Sequence, residues 1–272
     1  MDQTSTRITV IMGIYNCAST LVEALDSLYQ QTYKGFKIVL CDDGSTDETY
    51  QVAQMYAEQK DNIILIRNQE NMKLAATLNH CIEYADTEYV ARMDADDVSL
   101  PDRFQEEIDF LDSHPEFALV SCPMIYFDES GDWGIGKAIP FPKKEDFNQG
   151  TPFCHAPAMM RTAILKEIGG YTACKLTERA QDYHLWSKFY LAGYYGHNLS
   201  TPLYKMRNGR EAFARRRPVD RFRTFLLKVQ VKRALKLRFP ILSSAPELFK
   251  ALVPSSIARV ITKKISRYST NN

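Results

Sequence analysis

Through the first hundred residues, short β-rich apolar runs alternate with longer stretches in which apolar residues return every three or four positions. Arg7 to Ile14 predicts a strand. Cys17 to Gln30 then carries Leu21, Leu25 and Leu28 at helical spacing, with Ser19 or Thr20 available as a cap. Phe36 to Cys41 predicts a second strand and Asp47 to Gln59 a second helix, with Val52, Met55 and Tyr56 on one face. Asn62 to Arg67 and Tyr89 to Met93 predict strands three and four around a helix from about Leu74 to Tyr84. This alternation is the pattern of βαβ units, whose right-handed crossovers lay the strands parallel.

From Pro101 the pattern changes to a helix (Arg103 to Leu111), a strand (Phe117 to Cys122) and a Gly/Pro-rich stretch through Pro152 that reads as hairpins and loops. Helical spacing returns at Thr162 to Glu167 and at Asp182 to Leu191. The expected fold is α/β, a mixed sheet built onto a parallel half. No apolar run approaches the roughly 20 residues that span a bilayer, and the start, Met-Asp-Gln-Thr-Ser-Thr-Arg, lacks the regions of a signal peptide. Six widely spaced cysteines without a Cys-x-x-Cys, in a chain of 272 residues that needs no staples, read as reduced thiols of a cytoplasmic protein.

In an open parallel sheet a ligand lies beyond the carboxyl ends of the strands. Gly13, Tyr15 and Asn16 follow the first strand, Asp42, Asp43 and Gly44 to Asp47 the second, and Asp94, Ala95, Asp96 and Asp97 the fourth. Three carboxylates within four positions repel one another unless a cation joins them, and hard oxygen ligands suit Mg²⁺ or Mn²⁺. Taken alone, Asp42 to Asp47 is also a turn with a helix cap, and Asp94 to Asp97 a solvated loop. Two acidic clusters at neighbouring strand ends, with an aromatic at a third, favour a ligand site: a planar base stacked on Tyr15 and a diphosphate held through a metal at Asp96.

Six segments carry a resemblance. Met12-Gly-Ile-Tyr-Asn16, Asp42-Asp-Gly-Ser-Thr-Asp47, Asn71 to Asn79, Asp94-Ala-Asp-Asp97 with Leu100-Pro101, Gly169-Gly-Tyr171 and Gln181-Asp-Tyr-His-Leu-Trp186 run in the order seen in family 2 glycosyltransferases of the GT-A fold, which the chain resembles over about residues 7 to 210. The resemblance implies a Rossmann-like, mostly parallel mixed sheet flanked by helices, and an inverting, metal-dependent transfer from a UDP-sugar in surface polysaccharide synthesis. It implies that Gly13, Tyr15 and Asn16 line the nucleotide, with Tyr15 on the uracil ring. Asp43, with Asp42 beside it, accepts from the uracil N3–H, and Lys73 offsets the diphosphate. Asp94 and Ala95 lie by the ribose and sugar, Asp96 ligates a divalent metal, and Asp97 shares that role. The family's usual Glu-Asp pair reads Gln181-Asp182 here, which leaves Asp182 as the base. Gly170, Tyr171 and His155 fall on the acceptor side.

Each of these has a plainer reading as well. Asp182 fits a helix N-cap, Gly169-Gly170-Tyr171 a helix end followed by a strand, and His155, His184 and His197 satisfied histidines rather than ligands. Trp133 and Trp186 fit the core. Other functional classes are a sugar-phosphate nucleotidyltransferase, which usually brings a Gly-rich loop that Met12 to Ser19 lacks, and a non-catalytic nucleotide-sugar or glycan-binding module.

The net charge of +1 conceals two unlike segments. Residues 1–213, the expected catalytic domain (nucleotide-binding half to about 100, acceptor half beyond), hold 19 Lys and Arg against 31 Asp and Glu, a net of −12. Residues 214–272 hold 15 basic residues against Asp220 and Glu247, a net of +13. Phe222, Phe225, Leu226 and Val229 repeat at helical spacing there, and Ile257, Val260, Ile261 and Ile265 form a second stripe. A basic amphipathic extension suits an anionic membrane surface, where a lipid-diphosphate-linked glycan acceptor would be met, or a helical cap on the catalytic domain. No recognition motif for nucleic acid is present, and no nucleic-acid partner is expected.

Overall fold

The computed structural model describes residues 5–207 and 218–248. β1 (Ile8–Ile14), α1 (Ala18–Tyr29), β2 (Phe36–Asp42), α2 (Thr49–Gln59), β3 (Ile63–Arg67), α3 (Leu74–Glu83) and β4 (Tyr89–Arg92) reproduce the predicted alternation, with ends within two residues of expectation. β5 (Val98–Ser99), α4 (Arg103–Ser113), β6 (Phe117–Ser121), β7 (Met124–Asp128), β8 (Gly131–Ile135) and β9 (Met159–Arg161) follow. Then come α5 (Thr162–Glu167), α6 (Gln181–Leu191), β10 (Tyr195–Asn198), β11 (Tyr204–Arg207) and α7 (Pro218–Ala234).

Seven strands form the main sheet in the order β10, β6, β9, β4, β1, β2, β3. β3, β2, β1 and β4 are parallel neighbours, and β9 runs antiparallel between β4 and β6. β1 shows why both faces are apolar. Ile8, Val10, Met12 and Ile14 enter one core layer with the inner faces of α1 and α4, whereas Ile11 faces the layer formed with α3, α6 and α7. A strand buried on both sides has no polar alternation, which is the sequence pattern of β1 and β2. Gly13 lets α3 lie close: a Cβ there would meet Thr77 and Leu74 side chains at 3.1 and 3.2 Å.

A smaller sheet, in the order β5, β11, β7, β8, packs beside the carboxyl end of the main one. Its strands come from residues 98 to 207, so it brings Tyr204 and Arg207 to the loop after β4. Beneath that loop, Arg103 and Glu107 form a fully buried ion pair at 3.2 Å, and Arg103 also donates to the Arg92 carbonyl at 2.8 Å.

Some local expectations change. Neither Ser19 nor Thr20 caps α1; its first N–H groups are met from the neighbouring loop, Cys17 N–H donating to Thr49 Oγ1 and Ala18 N–H to Asp47 Oδ2. Asp47 therefore lies before α2 rather than in it. Gly169 and Gly170 take left-handed φ of 73° and 54° and end α5, but no strand follows. In α7, Phe222 and Leu226 are exposed and Val229 is buried, so the four apolar positions do not form one stripe; Thr224, Leu227 and Val231 make the inner face. The boundary at 213, Arg215 to Arg217 and the stripe from Ile257 to Ile265 lie outside the described residues. All six cysteines are free thiols.

Candidate active site

Three strand ends meet at one edge of the sheet, and their loops are tied to one another. Asn16, at φ 48°, accepts from Thr46 N–H at 2.9 Å, and its own N–H donates to Ser45 Oγ. Tyr15 beside it is 46% exposed, an aromatic face left open at the end of β1. Asp42 is fully buried, accepts from Ser45 N–H and pairs with Arg67 at 2.9 Å. Asp43 accepts from Asn68 Nδ2, Met72 N–H and Lys73 N–H at 2.8 to 3.0 Å. A carboxylate has about four lone-pair sites, so three bonds leave Asp43 one further acceptance. Lys73, at φ 71°, is the N-cap residue of α3, and its side chain is exposed.

The loop after β4 holds the second cluster. Carboxylate oxygens of Asp94, Asp96 and Asp97 lie within 4.8 Å of one another. Asp97 is 2% exposed and accepts from Arg207 N–H at 2.8 Å; burial, then the charges of Asp94 and Asp96, push its carboxyl up to about 8. Asp96 sits on the rim, open to solvent yet crowded, and partial desolvation with the Asp94 charge raises it too. Crowded carboxylates with raised affinity for protons are a donor set that a divalent cation fits, because the cation removes the mutual repulsion that the protons otherwise relieve. Asp94 is gripped at both oxygens by the buried Arg92 guanidinium, and its N–H donates to the Tyr204 hydroxyl at 3.1 Å. Ala95 is buried beneath this loop, and its carbonyl accepts from Thr20 Oγ1 at 2.9 Å.

Asp94 also lines a cleft of about 810 Å³, together with His155, Gln181 and Asp182. Asp182 is the second residue of α6, whose N-cap is Ala180, so it is not the cap. Its charge adds to burial in pushing the Cys154 thiol up to about 12. Tyr171 is buried, and Asn79 clamps its backbone from both sides: Tyr171 N–H donates to Asn79 Oδ1 and Asn79 Nδ2 to the Tyr171 carbonyl, each at 2.8 Å. The Tyr171 hydroxyl lies 2.7 Å from His155 Nε2. Burial, reinforced by Arg92, holds the His155 imidazole well below its usual range and so neutral. Gly170 belongs to the α5 turn, and neither it nor Tyr171 lines the cleft; His155 does. His197 stacks on Phe110 at 4.4 Å, Trp186 is fully buried, and Trp133 stacks on Tyr126 at 5.2 Å, as packing residues do.

Arg92, Tyr204 and Arg207 were not singled out by the sequence. Arg92 alone left a signal, since residues two apart on a strand share a face and Asp94 lies two beyond it. Tyr204 and Arg207 arrive from β11, over a hundred residues away.

The family model for glycosyl transferase family 2 matches residues 9–169. The chain belongs to that family. EpsE of Bacillus subtilis, named as a glycosyltransferase, is 39% identical over 260 residues, 95% of this chain and 94% of that one. The Escherichia coli UDP-Gal:α-D-GlcNAc-diphosphoundecaprenol β-1,3-galactosyltransferase is 29% identical over 98% of this chain and 99% of its own. Among solved structures, the mannosyltransferase PcManGT of Pyrobaculum calidifontis, in complex with GDP-Man and Mn²⁺, superposes with a TM-score of 0.64 at 20% identity, covering 97% of this chain and 81% of that one. That likeness establishes the GT-A fold. Family membership makes the chain a glycosyltransferase and decides for glycosyl transfer over nucleotidyl transfer.

Proposed function

We propose that this family 2 glycosyltransferase moves a sugar from a UDP-sugar to a hydroxyl of a glycan or lipid-diphosphate-linked acceptor, with inversion, in the assembly of a surface polysaccharide. One observation carries the reading: Asp94, at the edge of the carboxylate cluster, and Asp182, at the start of α6, line the same cleft. It supports a reading in which one carboxylate holds the donor and the other takes the acceptor's proton across one space. The name of the E. coli relative, which this chain matches along nearly its whole length, supports the UDP donor and the lipid-diphosphate acceptor.

In this reading the uracil ring stacks on the open face of Tyr15, and its N3–H meets the remaining lone pair of Asp43. Gly13 and Asn16 shape the loop beneath, while Asp42 holds the turn through Arg67. The Lys73 ammonium approaches the diphosphate. Asp96 would hold a divalent cation, with Asp97 sharing it; a cation bound there supplies charge stabilisation to the departing diphosphate. Arg92 fixes Asp94 beside the ribose and sugar. Asp182 takes the proton of the acceptor hydroxyl as its oxygen bonds the anomeric carbon and the bond to UDP breaks on the opposite face. Its place in the first turn of α6 favours the ionised base, because a helix N-terminus stabilises negative charge. His155 lines the acceptor side as a neutral imidazole, backed by the buried Tyr171 hydroxyl.

The basic extension supports a peripheral membrane location. Val219, Phe222 and Leu226 are exposed along one face of α7, and Phe239, Ile241 and Leu242 are exposed after it. No helix among the described residues is long and apolar enough to cross a membrane. Screening UDP-sugars for metal-dependent hydrolysis, with Asp182→Asn as control, tests the core of the proposal. Asp182-dependent UDP release from one of them is expected, and a protein that neither binds UDP nor releases it from any of them would refute the donor.

A further inference from the structure

We infer that Asn68 and His80 are positioning residues for the nucleotide base: together they fix which oxygen of Asp43 is open to it. The inference rests on the proposed reading of Asp43 as the acceptor for uracil N3–H. Asp43, Asn68 and His80 come from the end of β2, the end of β3 and α3, and a chain of hydrogen bonds joins them. Asn68 N–H donates to the Asp42 carbonyl at 2.8 Å, which continues the pairing of β2 with β3 by one residue and seats the side chain beside Asp43. Asn68 Nδ2 donates to Asp43 Oδ1 at 2.8 Å and to Thr77 Oγ1 at 3.2 Å, and the Thr77 hydroxyl gives its own hydrogen to the Lys73 carbonyl. Asn68 Oδ1 lies 2.9 Å from His80 Nδ1 and accepts the weaker Cys41 S–H at 3.6 Å.

The charge of Asp43 decides how this chain is polarised. A reversed Asn68 amide would set its oxygen against the Asp43 carboxylate, which is 4% exposed, and two acceptors facing each other in a buried site have no hydrogen to share. The amide nitrogen therefore faces Asp43, the amide oxygen faces His80, and His80 Nδ1 carries the donated hydrogen. Asp43 Oδ1 then has both lone pairs taken, by Asn68 Nδ2 and by Met72 N–H, while Oδ2 holds only Lys73 N–H. The open acceptance is on Oδ2. It accepts a ring N–H and repels the lone pair of a bare ring nitrogen, so the relay selects uracil, whose N3 carries hydrogen, over cytosine, whose N3 does not.

Calorimetric titration of the full-length protein with UDP, CDP and 3-methyluridine diphosphate, each with and without Mn²⁺, tests this. The wild type is expected to bind UDP about tenfold tighter than either analogue. Asn68→Ala should cut that margin to about threefold or less. His80→Leu should narrow it, and His80→Asn, which can still place an N–H where Nδ1 stands, should restore it. The gain in UDP affinity that Mn²⁺ gives should stay at its wild-type value in all three variants, since the carboxylate cluster after β4 is untouched. A margin that survives Asn68→Ala would overturn the inference. So would variants that lose the margin and the Mn²⁺ gain together, because that marks support of the whole fold and not of one oxygen. A wild type that binds all three nucleotides alike would instead refute the reading of Asp43 on which the inference rests.

Discussion

In the proposed mechanism Asp182 and Asp96 separate proton transfer from donor binding. Replacing Asp182 with Asn keeps shape and removes the base, so transfer should fall by about 10²- to 10⁴-fold while UDP affinity stays near wild type; wild-type turnover would show that another group takes the proton. Asp96→Ala should abolish the part of UDP affinity that Mn²⁺ adds, measured by titration with and without the ion, and an unchanged metal dependence would remove Asp96 from the ligand set. His155 contributes to the pH dependence of stability. Its native pKa is depressed, so above about 6.5 both states are neutral; below that the unfolded chain takes a proton that the native state refuses. Stability therefore falls on acidification, by up to about 1.4 kcal/mol per pH unit for this one group. Urea midpoints between pH 6.5 and 5 should decline less steeply in His155→Gln, and the difference between the two slopes isolates the group. A parallel decline would place the titration elsewhere. The carboxylates of this site were legible because they stand in short runs after predicted strands. Arg92 and Tyr204 were not, because burial and charge pairing are properties of neighbours in space.

At the scale of elements, the glycine turn after α5 and the buried pair on α4 hold the cleft from two sides. Gly170 needs its left-handed φ, and a Cβ there would meet Asn79 Oδ1 at 2.7 Å, the oxygen that receives Tyr171 N–H. Gly170→Ala should cost roughly 1–3 kcal/mol by urea denaturation and displace Tyr171 from His155, whereas an unchanged midpoint would mean the turn yields freely. Arg103 joins Glu107, the Arg92 carbonyl and the face of Tyr204 at 5.2 Å. Arg103→Met strands a buried Glu107 and should lower stability by about 3–5 kcal/mol; the double variant with Glu107→Leu should regain much of that loss. The main helices were legible from periodicity and the four parallel strands from their short apolar runs. β5, β9 and β11, two to four residues each, were not, since so few positions show no period and their identity comes from the strands they pair with.

For the whole molecule, the charge division is the physical fact to test. The described part of the extension is not a detached tail: α7 packs Leu227 and Val231 into the layer shared with α6, and Lys228 pairs with Glu247 at 2.7 Å. A deletion of the segment would uncover core, so substitutions make the cleaner probe. Arg233, Lys236 and Arg238 are exposed. The wild type should sediment with anionic vesicles at low salt and release as salt rises. The triple Gln variant should lose about 1 kcal/mol per charge removed, and sedimentation equal to wild type would refute the membrane reading. Packing on the catalytic domain uses the Leu227 and Val231 face of α7 and leaves Val219, Phe222 and Leu226 exposed, so the helical cap does not exclude the proposed membrane contact.

The linear chain determined what local chemistry can determine: an alternating α/β order, acidic clusters behind particular strands, six motifs in the order of their family, and a basic segment at the end. Each depends on residues within a few positions of one another, where periodicity and turn chemistry act. The tertiary structure decided the rest. It set Asp47 to meet the start of α1 as well as that of α2, brought β11 across to close the carboxylate loop, buried the Arg92 guanidinium that holds Asp94, and enclosed Asp94 and Asp182 in one cleft. Such relations follow from sheet order and burial, which no short window of sequence contains.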